Sequence, residues 1–432
     1  MKVMFSGAVG RTFMLLCAMY FIMYVDRVNL SVAGPLLQTE LHLTDTQLGA
    51  AFAAFGWCYA LFQIVIGWAG DRFGPRRTLA VSGLLWSAGT LLTGITTGLP
   101  GLVISRLVVG LGEAGTIPTA TRAITNWVPR IRRGFAQGFT HSSARAAAAA
   151  TPLLMVTLIA LLGWRGSFIV LGLISLAWVA IWYGYFRDDP RDHRGVTAKE
   201  LAQLPPYHGR TTRTAAPLQW WLALGRRMLP VTLVFFAHAW TLWLYLSWLP
   251  KFFIGTYGFD LKTSALYSAA VFVAGVIGDT AGGVLTDFLY RRTGDLDSSR
   301  RNVIVLSFAG SLSCLAGVMY FNDQIAVTLF LGAAMFLLEM AEGPIWSVPM
   351  DVAPSHSGAA GGFLSTAAGV AAAASPWAFG FIADVTGSYR PPFLMSIALL
   401  LVGVALAFFI RADLPLKVPG DKTLGQTAGT PS

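Results

Sequence analysis

Arg106 and Glu113 stand seven residues apart in Ser105-Arg-Leu-Val-Val-Gly110-Leu-Gly112-Glu-Ala-Gly115-Thr-Ile-Pro118, inside a long apolar run. Seven residues make about two helical turns, so both side chains point to nearly the same side. A lone charge at mid-membrane depth costs roughly 2.5–3.5 kcal/mol on insertion scales. Two opposite charges on one stripe therefore point to a polar interior or a watery cavity. Arg106 offers a planar fork that suits a carboxylate, and the alternative is a structural ion pair with Asp26 or Glu113. A carboxylate such as Glu113 that exchanges its arginine partner would take up and release a proton; otherwise it forms a permanent salt bridge.

Other apolar runs hold isolated polar groups of the same kind. Asp26 and Arg27 are adjacent in the first, so on a helix they point about 100° apart and each needs a partner on another helix. Tyr24 and Tyr59 can donate hydroxyls to an anion or simply pack. Arg145 precedes five alanines, Ala146 to Ala150, and has no neutralising group near it in sequence; His141 lies one turn earlier. Arg145 either binds substrate or neutralises a carboxylate such as Glu113. A later run carries Glu339, Glu342, Gly343, Pro344, Trp346 and Ser347. Pro344 removes a backbone hydrogen bond and is expected to kink this helix, leaving Trp346 and Ser347 as substrate contacts or packing residues. His238 and Asp279 are also intramembrane, His238 most simply as a core histidine.

These groups must be positioned by membrane helices. The chain has 432 residues, 55% hydrophobic and only 12% charged, with mean hydropathy +0.61. Twelve apolar segments are expected at roughly 12–36, 46–69, 78–98, 100–121, 136–160, 164–186, 228–250, 264–289, 302–322, 324–349, 358–384 and 391–411. Each is about long enough to cross a ~30 Å hydrocarbon core. The fold class is all-α integral membrane, in two pseudo-symmetric six-helix bundles. The expected units are 1–186, a polar central linker 187–227, 228–411 and a tail 412–432.

The net charge of +10 sits in loops beside anionic lipid, so it needs no nucleic-acid partner. Arg72, Arg76 and Arg77, then Arg130, Arg132 and Arg133, then Arg291, Arg292, Arg300 and Arg301 follow the second, fourth and eighth segments. The opposite loops hold few basic residues, chiefly Arg165, Lys251, Lys262 and Arg390. The linker and both termini are thus expected to be cytoplasmic, in an inner or plasma membrane. Lys2 and Arg11 precede the first run without a clear cleavage site, so that run is expected to remain as a membrane helix.

Several patterns are decoys. Gly110-x-Gly112-x-x-Gly115 matches a dinucleotide fingerprint, but that fingerprint needs a preceding strand and an opening helix. Asn29-Leu30-Ser31 matches a glycosylation sequon within a helix. Cys17, Cys58 and Cys314 lie singly, without metal-ligand spacing. No metalloprotease motif, aspartate-rich prenyl-phosphate motif or nucleophile elbow appears, so no enzyme, metal or cofactor is expected. No signalling domain is expected at the short termini.

An internal repeat supports the six-plus-six division. Gly67-x-x-x-Asp71-Arg72-x-Gly74-x-Arg76-Arg77 follows the second segment and Gly283-x-x-x-Asp287-x-x-x-Arg291-Arg292 the eighth. Parallel repeats of this kind suit a carrier whose site lies between the halves near the midplane. The chain resembles the major facilitator superfamily over nearly its whole length, through the Gly67–Arg77 loop and Arg106-x-x-x-Gly110-x-Gly112. It is further similar to the anion:cation symporter branch, with its sugar-acid, phthalate and vesicular glutamate or sialic-acid carriers. The residues concerned are Tyr24-Val25-Asp26-Arg27, Tyr59, Arg106, Glu113 and Trp127-x-Pro129-x-x-x-Arg133-Gly134-x-Ala136.

The resemblance implies alternating access, with Asp26 and Glu113 as proton sites coupled to Arg27 and Arg106. The substrate-binding candidates are Arg27, Arg106, Arg145, Tyr24, Tyr59, His141, Trp346 and Ser347. The gating candidates are Gly67, Asp71, Arg72, Gly74, Arg76, Arg77, Asp287 and Arg291. The branch commonly has an asparagine in the eleventh helix and an amide in the fifth. Here those regions read Ser365-Thr366 to Ser375-Pro376 and His141-Ser142-Ser143-Ala144-Arg145. The extra cation fits a more highly charged or differently shaped anion. The expected activity is proton-coupled import of a small organic anion by a monomer in the lipid bilayer, with anion exchange or efflux uncoupled from protons as the alternative.

Overall fold

The protein is described by a computed structural model that covers residues 7–128, 133–204, 218–353, 357–412 and 416. Apolar runs of this length have one way to satisfy their backbone away from water, and they form helices. The first half holds α1 (Gly7–Leu41), α2 (Asp45–Phe73), α3 (Pro75–Ile95), α4 (Leu99–Glu113), α5 (Thr116–Trp127) and α6 (Arg133–Tyr185). A 3-10 turn (Pro190–Asp192) and the short α7 (Ala198–Leu201) follow. The second half holds α8 (Leu218–Tyr257), α9 (Leu261–Thr293), α10 (Leu296–Tyr320), α11 (Gln324–Met340), α12 (Glu342–Val352), α13 (Ser357–Thr386) and α14 (Pro392–Ala407). Large apolar side chains on the outer faces, such as Leu61, Leu161 and Leu329, are exposed. In water that would be a liability; facing lipid it is the expected finish.

Among the described residues these helices make twelve rods, because three boundaries differ from the expected segments. α6 joins two expected segments through a bend at Gly163, where φ is +67°. The fourth segment is broken into α4 and α5 at Gly115, where φ is +69° and a Cβ would press on Ile66 and the Gly67 backbone. The tenth is broken at Ala341, just before the point where Pro344 cannot donate to the Met340 carbonyl. α8 also starts within the expected linker, because Trp220, Leu224 and Met228 recur at helical spacing and are buried.

Small residues set how closely the rods approach. Any side chain at Gly110 would meet the Phe55 backbone of α2, and one at Gly112 the Trp86 and Ser82 backbone of α3. The glycine pattern of α4 therefore serves helix packing. The Gly/Ala-rich α13 lies along α2 across the boundary between halves, with Gly56 against the Ala372–Ala373 backbone and Gly369 against Ala60. α1 meets α8 and α6 meets α9 across the same boundary.

The two faces differ in how the halves meet. On the face away from the linker, Lys251 of α8 bonds Asp45 at 2.5 Å and also reaches Gln38. Tyr389 donates to Asp45 at 2.7 Å, and Asp384 accepts from the Thr46 amide at 2.6 Å. On the linker face, α5 packs chiefly on α1, α2, α3 and α6, and α12 on α8 to α11 and α13, each within its own half. The linker itself seats α7 at the start of α1. Burial works against the Glu200 carboxylate, but Thr197 and the amides of Val9 and Ala8 outweigh it and hold it below the usual carboxylate range.

Candidate functional site

The break at Gly115 leaves Glu113 as the last residue of α4, fully buried and facing α1. Arg27 reaches it from α1, with Nε donating to Oε2 at 2.8 Å. The Arg27 guanidinium lies 4.8 Å from the ring centroids of both Tyr24 and Tyr59, 5.6 Å from Phe55 and 5.8 Å from Trp243. Trp243 comes from α8, so this aromatic cage closes across the boundary between halves. π faces attract a guanidinium most strongly where water is excluded.

Asp26, one residue earlier, turns away from Arg27 as the helical geometry requires, and Asn29 donates to its Oδ1 at 3.0 Å. Arg106 shares the buried stripe of Glu113. Its Nη1 donates to the Asp26 carbonyl at 3.4 Å, and its guanidinium lies 5.4 Å from the Phe55 ring. Among the described residues Arg106 has no carboxylate within 4.0 Å. The seven-residue spacing thus places both groups on one side, while the salt bridge of Glu113 runs to α1.

A second group of charges lies across the boundary. Arg145 of α6 places Nη2 2.9 Å from Glu339 Oε2 and 3.3 Å from Glu342 Oε1. Its partners belong to α11 and α12 of the other half, so the carboxylates it meets are Glu339 and Glu342 and not Glu113. The cause is the fold: α6 packs on α9, which in turn carries α11. Trp346 donates to Glu342 Oε1 at 3.0 Å, and His238 Nε2 lies 3.4 Å from Glu342 Oε2. Glu339, Glu342 and His238 each bring a ligand atom within 4.8 Å of the others. Sequence reasoning had noted all three residues without joining them to Arg145. The usable signal was that three acids, Asp279, Glu339 and Glu342, lie in the expected segments 264–289 and 324–349, which hold no arginine of their own.

The remaining candidates take simpler positions. His141 stands edge-on to Tyr20 at 5.5 Å. Ser347 donates to its own helix at Gly343, 2.8 Å away. Ser375 donates to the Trp240 carbonyl at 2.7 Å, and Trp248 donates to the Pro376 carbonyl at 2.9 Å, so the departures in α13 serve packing on α8.

In the Gly67–Arg77 loop, Gly67 meets Pro118 and Gly74 adopts φ +86° beside Asp188. The Arg76 amide donates to Asp188 at 2.9 Å, and its guanidinium donates to the Tyr183 carbonyl at 2.8 and 3.0 Å. Burial pushes the Asp188 carboxyl up, against the Arg76 amide and the nearby arginines. Arg72 lies over Trp68 at 5.2 Å, and Arg77 and Arg291 are exposed. The Asp71 and Asp287 side chains, Pro129, and the side chains of Arg133 and Gly134 lie outside the described residues. Sequence reasoning missed the ties at Asp45, Asp384 and Tyr389, which no motif announces.

An apolar groove of about 620 Å³ on α9, lined by Val276, Ile277, Thr280, Val284 and Phe288, includes none of the charges described above. It is open to the outside and suits a lipid chain rather than an anion.

The Major Facilitator Superfamily model matches residues 16–357. A probable sulfoacetate transporter of Cupriavidus necator is 45% identical over 407 residues, 94% of this chain and 95% of that protein. A D-galactonate transporter of Escherichia coli O6:H1 is 31% identical over 400 residues, 90% of this chain and 92% of that protein. The solved structure of a bacterial homologue of the human lysosomal transporter Spinster, inward-facing and unoccupied, superposes with TM-score 0.77. That match covers 93% of this chain and 97% of the other at 16% identity, a likeness of fold. The chain belongs to the Major Facilitator Superfamily and is a multi-pass membrane transporter, not an enzyme.

Proposed function

Taking membership of that superfamily as the premise, we propose that the protein imports a small organic anion by proton symport with alternating access. The observation that carries this reading is Arg27, buried in an aromatic cage shared by both halves and held by the single carboxylate of Glu113. Protonation of Glu113 releases Arg27, protonation of Asp26 removes the second negative charge beside them, and the substrate carboxylate docks on the guanidinium forks of Arg27 and Arg106. Tyr24 and Tyr59 then offer hydroxyls at the rim. The far-face ties close one entrance, and the linker face, cytoplasmic by its basic residues, is the other.

The substrate we favour is a short dianion with a carboxylate and a second strong acid, sulfoacetate being the example supplied by the relative in Cupriavidus necator. Arg145 is the third buried arginine, and Tyr24 lies within electrostatic reach of both Arg27 and Arg145. A monoacid needs one such group; a dianion uses both ends. The protein would act as a monomer in the plasma membrane, with the proton as its coupling ion.

The test is uptake of labelled sulfoacetate into proteoliposomes under an imposed pH gradient. Accumulation above equilibrium is expected in the wild type, and only downhill exchange in Asp26→Asn with Glu113→Gln. Uphill, pH-driven uptake that survives the double change refutes the coupling. Counterflow without any response to pH in the wild type assigns the protein to anion exchange instead.

A further inference from the structure

Charge balance separates the two buried groups. Arg27 and Arg106 face Asp26 and Glu113, two cations against two acids. Across the boundary, Glu339 and Glu342 converge on one guanidinium nitrogen of Arg145. Asp279 of α9 adds a third acid within electrostatic reach. Glu339 is fully buried, and Glu342 is 15% exposed. One guanidinium offsets one carboxylate, and a second bare carboxylate at this depth carries the full desolvation penalty of an unpaired charge.

A second observation points to what fills the deficit. His238 of α8 is fully buried, and its Nε2 makes no hydrogen bond while facing Glu342 Oε2 at 3.4 Å. An imidazole nitrogen this close to a carboxylate oxygen needs only a small side-chain adjustment to hold or pass a proton between the two. The other groups facing the cluster are Tyr24 of α1, which brings no positive charge, and His141 of α6, whose imidazole is ordinarily neutral above about pH 6.5.

We infer that Glu339 and Glu342, with His238 as their relay, form a proton-binding site separate from Asp26 and Glu113. The pair holds one proton while Arg145 neutralises the other charge, and the proton belongs to the pair rather than to either residue. Arg145 belongs to the first half and both acids to the second, so the site exists only where the halves meet. Loading it leaves Arg145 facing one ionised carboxylate in place of two. As a coupling site it rests on the transport reading above; as a proton site it does not.

Infrared difference spectroscopy of the purified carrier, between about pH 5 and about pH 8, reads protonated carboxyl groups without any substrate. The wild type is expected to show a buried carboxyl C=O band. That band loses about one carboxyl of amplitude in both Glu339→Gln and Glu342→Gln, since the pair shares its proton. It also persists in Asp26→Asn with Glu113→Gln. Unchanged amplitude in both glutamine variants overturns the inference, as does a band erased by sodium at constant pH, which would assign the cluster to a metal cation. Should Glu339→Gln fail to fold, the partly exposed Glu342 carries the test alone. In proteoliposomes Glu342→Gln is expected to lose one coupled proton per anion while transport continues. A wild type that shows the band but no proton-driven uptake would refute the transport reading and leave the proton site standing.

Discussion

The two halves place an acid at the same point of equivalent helices and pair it differently. In the first half the fourth rod breaks at Gly115 and Glu113 ends α4; in the second the tenth rod breaks at Ala341 and Glu342 begins α12. Glu113 finds its arginine in its own half, on α1. Glu342 and Glu339 take theirs from the other half. A pair within one bundle survives the relative movement of bundles, whereas a pair across the boundary must lengthen or break. The first is suited to holding an anion site together and the second to registering whether the halves are joined.

The largest test of this contrast is to remove one acid from each group. Glu113→Gln leaves Arg27 buried without a carboxylate, and stability is expected to fall by about 3–5 kcal/mol, read as a lower melting temperature of the purified carrier. Glu342→Gln leaves Glu339 on Arg145 and is expected to cost about 1 kcal/mol. Equal losses would abolish the distinction.

Double-mutant cycles sharpen it next. The Arg27–Glu113 coupling is expected near the top of the usual range of about 0.5–3 kcal/mol. The Arg145–Glu339 coupling is expected in the lower part, because Glu342 substitutes for the lost partner. A larger value for Arg145–Glu339 would reverse the assignment of roles.

Lys251→Met addresses the boundary itself. Losing the bond to Asp45 is expected to shift the balance between open faces by about 1 kcal/mol, near fivefold. The readout is modification of Ala383→Cys by a membrane-impermeant thiol reagent, in a chain lacking Cys17, Cys58 and Cys314. Faster modification from the far face supports the tie as a closure, and an unchanged rate reduces it to a surface contact.

The smallest effect lies outside both groups. Glu200 is held below the usual carboxylate range in the folded protein. Its contribution is therefore present above about pH 4.3, the unfolded value, and lost as pH falls through the folded one. Partial exposure to solvent limits it, so Glu200→Gln is expected to cost at most about 0.5 kcal/mol at neutral pH. A loss that grew on acidification would contradict the sign.

Much of this architecture was legible in the chain, and for identifiable reasons. Apolar length fixes membrane helices because lipid offers the backbone no partners, and so the rod positions agree with the expected segments to within a few residues for most of the chain. The breaks at Gly115 and Ala341 were less visible. Hydropathy is continuous through both, and the break depends on a glycine torsion in one case and on a proline's missing donor in the other. The α8 extension was hidden because Arg226 and Arg227 interrupt its apolar pattern.

For the site, the sequence by itself determined which residues are anomalous. Asp26, Arg27, Arg106, Glu113, Arg145, Glu339 and Glu342 are charges in segments that tolerate almost none, so each needs a counter-charge or a watery surface. It also determined that Asp26 and Arg27 face different ways, since adjacent residues on a helix diverge. Only the tertiary structure decided the partners. Coulomb attraction acts through space and is indifferent to chain order, so nothing near Arg145 in sequence could point to α11 and α12. That choice was made by helix packing: α6 against α9, α9 against α11, and glycines such as Gly278 and Gly282 that let those backbones close up.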